Sequence, residues 1–79
     1  MIRILLSVRL GERRWTQSML AKKTGIRAAT INELYNEVTD RVSLKHLDRI
    51  CHVLECDLTE ILERDGSDPF AETDRHTKT

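Results

Sequence analysis

The chain has 79 residues, and its 13 Lys/Arg are balanced by 13 Asp/Glu, so the formal net charge is zero. That length allows one domain with a small core and marginal stability, and the neutral balance argues against a general polyanion binder. Two cysteines make no disulfide framework, Arg3 and Arg9 break the only early apolar run so that no leader peptide is expected, and no stretch approaches the roughly 20 apolar residues of a membrane span; a reducing cytoplasm is the expected setting.

Ile2, Ile4, Leu6, Val8 and Leu10 alternate with other residues, a strand signal, yet Leu6 and Leu10 are also spaced for one helical face. Ile2–Leu5 is therefore read as extended and Leu6–Arg14 as a first helix, with Arg9 and Arg13 as its solvated side. A strand at that position is an edge that needs a partner, either a dimer mate or a local loop. Trp15 is expected to plug the gap between the first two helices. Thr16 is a good N-cap for a second helix, Gln17–Thr24. In it Leu20, Ala21 and Thr24 share a face, and Lys22 points to solvent.

Gly25 follows at once, supplying the positive φ that a sharp helix–helix turn needs. Ile26 fills the space under the turn. A third helix, Ala28–Asn36, turns Ile31, Leu34 and Tyr35 inward. Glu37–Val42 is a polar connection. Ser43 caps a fourth helix, Leu44–Leu54, with the stripe Leu44, Leu47, Ile50, Cys51 and Leu54. Asp57 and Glu60 form a capping box for a fifth helix, Leu58–Arg64, with Leu58, Ile61 and Leu62 as its apolar face. The sequence thus predicts an all-α domain of five helices over residues 1–64 with a short extended N-terminal segment. From Asp65 to Thr79 the composition is that of a disordered tail, in which Phe70 is the one large apolar residue.

The order of cap, small residue, glycine turn, apolar plug and second stripe describes a helix-turn-helix, whose second helix enters the major groove of DNA. Residues 16–36, TQSMLAKKTGIRAATINELYN, resemble the helix-turn-helix of the Cro/cI-type (xenobiotic-response-element) regulators. ERRWTQ leads into it, and VSLKHLDRICHVLECDLTEILE (42–63) resembles that family's fourth and fifth helices, so the likeness spans residues 2–63. It implies a lambda-repressor-like fold, bacterial or phage-encoded and active at the nucleoid. It also implies a homodimer on double-stranded DNA, with half-sites about one helical turn, roughly 34 Å, apart. Two positions depart from the family pattern. Arg27 stands where a Ser-like cap is usual, at a cost of about 1 kcal/mol, and Arg14 stands where glycine is usual.

Rotation about the third helix places Ala29, Asn32, Glu33 and Asn36 opposite its apolar stripe, with Ala28 and Thr30 flanking the first turn. Asparagine pairs bidentately with adenine, glutamate accepts from cytosine, and alanine touches a thymine methyl. The resemblance assigns Ala28, Ala29 and Glu33 to bases; with Asn32 these are the expected base-contacting residues. Gln17 and Asn36 are implied to hold phosphates, and Thr30, Arg27, Arg41 and Lys45 lie beside them. Charge supports the orientation: residues 1–49 hold ten Lys/Arg against five Asp/Glu, and residues 50–79 three against eight.

Other functions find less support. No glycine-rich phosphate loop or nucleophile motif is present, so neither an enzyme nor a cofactor is expected. His46, Cys51, His52 and Cys56 depart from zinc-site spacing and diverge around a helix, so no metal is expected and Cys51 is read as apolar core. The stronger rival is a protein-interaction module, an antitoxin or adaptor, that engages a protein partner through the tail or the N-terminal strand. Steep salt dependence on a chosen duplex separates the regulator from the adaptor.

Overall fold

The computed structural model of the chain describes residues 1–66. Four helices, α1 (Leu6–Arg13), α2 (Gln17–Thr24), α3 (Ala28–Tyr35) and α4 (Leu44–Leu54), follow the first strand, β1 (Ile2–Ile4). A single 3₁₀ turn, Leu58–Glu60, then leads into β2 (Leu62–Arg64). Leu6, Leu10, Leu20, Ile31, Ile50 and Ile61 form the fully buried centre, with Ile26, Leu34, Leu47 and Leu54 around it.

Local chemistry sets the helix ends. Thr16 Oγ1 accepts the Met19 N–H at 3.1 Å and opens α2. Gly25 closes it at φ 76°, its N–H donating to Ala21 O. Thr24 is buried and keeps its hydroxyl satisfied by donating to Leu20 O at 2.7 Å and accepting from the Ile26 N–H at 3.2 Å. Arg49 donates to Thr24 O across the turn at 3.0 Å, which ties α4 to the elbow. Ser43 Oγ accepts the His46 N–H and opens α4. The first helix stops one residue short of the expected end because Arg14 is left-handed, φ 57°. That is a glycine-favouring conformation, with a cost of roughly 1–2 kcal/mol for a side-chain-bearing residue, which accounts for the glycine usual there. Arg14→Gly is expected to raise the unfolding midpoint in urea by up to about 1 kcal/mol of stability; a lowered midpoint would show that the arginine side chain contributes more than the strain removes.

The fifth helix is replaced by the 3₁₀ turn and β2, so the described residues form four helices and a two-stranded sheet. β1 offers unsatisfied backbone groups that a strand over Leu62–Arg64 can meet, and that pairing prevails over the local helical spacing. β2 runs antiparallel to β1, with Ile2 opposite Arg64, Arg3 opposite Glu63 and Ile4 opposite Leu62. The pairing extends to Leu5 N–H on Ile61 O (2.6 Å) and Asp65 N–H on Met1 O (3.0 Å). The edge strand thus finds its partner inside the chain. Of the residues assigned to the fifth helix's apolar face, Ile61 is buried, Leu62 half-buried and Leu58 exposed. The Asp57–Glu60 box survives on the shorter turn, the Asp57 N–H donating to Glu60 Oε2. Leu44, read as the start of the α4 stripe, is 80% exposed because it sits in the first turn, ahead of the core. The tail beyond Gly66, with Phe70, lies outside the described residues; Asp65 belongs to the sheet's end.

Arg9 and Arg13 are more than a solvated face. Arg13 donates to Leu54 O at 2.9 Å and so holds α1 against the end of α4. Arg9 pairs with Glu12 and with Glu60 beside the 3₁₀ turn. Trp15 packs on the core edge beneath the Lys23 ammonium, 5.1 Å from the ring centroid. The thiols of Cys51 and Cys56 are half-buried rather than core, and burial pushes both upward from the ordinary thiol range.

The free edge of β1 is closed by a side chain. Glu37 accepts two bonds from Arg3, each 2.8 Å, and one from the Ile4 N–H at 3.1 Å. The Arg3 guanidinium, then the Ile4 N–H, hold the Glu37 carboxyl at about 2, below its usual 4.5. Since the folded value is depressed, the ion pair's contribution is present above pH 4.5 and is lost as pH falls towards about 2. The melting temperature is therefore expected to drop across that window, and less steeply in Glu37→Gln; identical acid slopes for the two proteins would show that the pair does not stabilise the fold.

Candidate nucleic-acid interface

α2 and α3 meet through Leu20, Ile31 and Leu34, with Ala21 half-buried among them. Burying that stripe forces the opposite side of α3 outward. Ala28, Ala29, Asn32, Glu33 and Asn36 are all exposed, and Thr30 is half-exposed. The structure therefore brings the expected base-facing residues onto one open surface. It also joins two of the predicted residues from different helices: Asn32 Nδ2 donates to Gln17 Oε1 at 3.2 Å. Gln17, the first residue of α2, thereby braces Asn32, midway along α3. Asn36, just past the last turn of α3, donates from Nδ2 to Asn32 O at 3.0 Å, which uses one of the two N–H donors of its carboxamide.

The helix termini carry a matching electrostatic feature. None of α2, α3 and α4 has an acidic residue in its first turn. Their positive ends are therefore unneutralised by their own sequence, the arrangement that suits a phosphate. Arg27 at the start of α3 is extended, φ −59° and ψ 143°, and makes no capping bond, in keeping with the missing Ser-like cap. Arg27, Arg41 and Lys45 are all exposed.

Sequence reasoning missed a cleft between α3 and the start of α4. Thr30 and Glu33 line one wall, and Arg41, Ser43 and His46 the other. It brings Thr30, Glu33 and Arg41 together with His46, a residue whose place in the sequence suggests only a metal ligand. His46 lies on this side of α4, whereas Cys51, His52 and Cys56 line a groove near its other end. The signal available was Ser43: a cap there fixes the first turn of α4 and with it the direction of His46.

The Cro/C1-type HTH DNA-binding domain family matches residues 5–67. The chain belongs to that family. A crystal structure of a candidate DNA-binding protein from Bacteroides fragilis is similar to it, with a TM-score of 0.71 and 24% sequence identity, covering 80% of this chain and 100% of that one. That likeness concerns the fold. No curated protein matches the sequence. Among the described residues, no helix is long and apolar enough to cross a membrane.

Proposed function

We propose that the domain is a sequence-specific transcriptional regulator that binds double-stranded DNA as a homodimer and represses by occupying its operator. α3 lies in the major groove. Ala28, Ala29, Asn32 and Glu33 face base edges, and Gln17, Arg27, Thr30, Asn36, Arg41 and Lys45 hold the flanking phosphates. The observation that carries this reading is the open polar face of α3, braced at Asn32 by Gln17 from the start of α2. Two of the base-facing positions are alanines, so thymine methyls and duplex shape carry much of the specificity.

Selection of bound duplexes from a random pool tests the proposal. The expected product is an inverted repeat with half-sites about one turn apart; a pool that stays unenriched after repeated rounds would overturn it. Arg27→Ala is expected to weaken all duplexes nearly equally and to flatten the salt dependence of log K by about one unit. A titration over salt concentrations checks this, and an unaltered slope would remove Arg27 from the phosphate contacts.

A further inference from the structure

Among the described residues, three surfaces offer backbone or apolar groups that a second copy could cover, and charge separates them. The outer edge of β2 exposes Leu62 and Arg64 backbone groups, because residues 61, 63 and 65 take the bonds towards β1. Self-pairing of that edge about Glu63 sets two carboxylates directly opposite each other, which is unfavourable. A second surface runs between Leu44 (80% exposed) and Leu58 (48% exposed), but Asp48 and Asp57 are the charged groups lining it. An isologous contact there brings carboxylates against carboxylates.

The third surface is a groove between the face of the sheet and the α3–α4 connection. Ile2, Ile4, Leu62 and Val42 give it an apolar floor, and Asp40 and Arg41 stand on it side by side. Ile2 is 58% exposed and Val42 36% exposed; Val38, next along the connection, is 69% exposed. Adjacent residues of opposite charge are self-complementary under a two-fold axis, because each Asp40 then faces the Arg41 of the other copy.

From this we infer that the groove bounded by Ile2, Val42, Asp40 and Arg41 is the homodimer interface, with a second copy of this chain as its occupant. The inference rests on the dimeric DNA-binding reading above and names its missing surface. The groove sits on the connection that leaves the C-terminal end of α3, so the two copies of α3 emerge beside the same axis. Arg41 borders both this groove and the cleft beside Glu33. Its five N–H donors serve a carboxylate across the axis and a phosphate alongside, so pairing also holds the guanidinium next to the DNA face.

Sedimentation equilibrium on the full chain without DNA tests the interface. The wild-type average mass is expected to rise towards twice the chain mass with concentration. Asp40→Arg and Arg41→Asp should each weaken self-association at least about tenfold. An equimolar mixture of the two variants, and the double variant D40R/R41D, should recover it, because both restore opposite charges across the axis. Ile2→Lys and Val42→Lys form a second pair of disrupting changes, and far-ultraviolet circular dichroism identifies any variant that has lost helix. A wild-type chain that stays monomeric throughout, or a dimer indifferent to both charge reversals, overturns the interface. A dimer that behaves as expected yet enriches no duplex overturns the regulatory reading and leaves the interface standing.

Discussion

Asn32→Ala is expected to change which duplex the domain prefers, removing about 1–3 kcal/mol of discrimination at one base pair, while leaving its unfolding midpoint nearly unchanged. The side chain is exposed, and its observed hydrogen bond joins it to another surface amide, Gln17. Little folding energy is therefore lost with it. In the proposed readout its value lies in being the one residue, of the four positions assigned to base edges, that can donate and accept at once. Ala28 and Ala29 offer methyl groups, and Glu33 offers only acceptors. Gln17 holds the Asn32 carboxamide in one orientation before DNA arrives, so less rotamer freedom is lost on binding. Competition between the preferred duplex and single-base variants of it measures the effect. Unchanged preference in both Asn32→Ala and Glu33→Ala would take α3 out of base readout.

The neighbouring residue behaves in the opposite way. Ile31→Ala is expected to cost about 2–5 kcal/mol, a sum comparable with the entire stability of a chain this short. Ile31 is fully buried and packs where α2, α3 and the core meet. Truncation leaves a void that α2 and α3 cannot close without altering the elbow at Gly25. Binding to every duplex then falls together, because the folded fraction falls. Urea denaturation followed by circular dichroism reads this directly. A midpoint equal to that of the wild type would mean that Ile31 is not a core residue and that the orientation of α3 is wrong by about half a turn. The two substitutions, one residue apart, separate the inward and outward sides of the same helix.

The helix-turn-helix was legible because each boundary has its own chemistry. Thr16, Gly25 and Ser43 mark ends that the structure reproduces, and α2 and α4 have the expected bounds. The outward side of α3 followed from rotation once Ile31 and Leu34 were placed inside. The end of the domain was not legible. Leu58, Ile61 and Leu62 are spaced for a helical face, and a capping box precedes them. What decides their conformation is a strand at the other end of the chain, which no local pattern contains. The ties from Arg13 to Leu54 and from Arg49 to Thr24 were hidden for the same reason. So was the bridge between Gln17 and Asn32, since it depends on how closely two helices cross.

The antiparallel sheet has a consequence for the order of assembly. Ile2–Ile4 precede the four helices, yet their backbone partners, Leu62–Arg64, follow them. Closing so large a loop costs entropy that only an already condensed intermediate can reduce. Gathering the four helices first shortens the gap that the latch has to bridge. Until the helices have gathered, β1 is therefore an unsatisfied ribbon, and the Glu37 carboxylate, which accepts the Ile4 N–H, shields its outer side from nearer along the chain than β2 can reach its inner one.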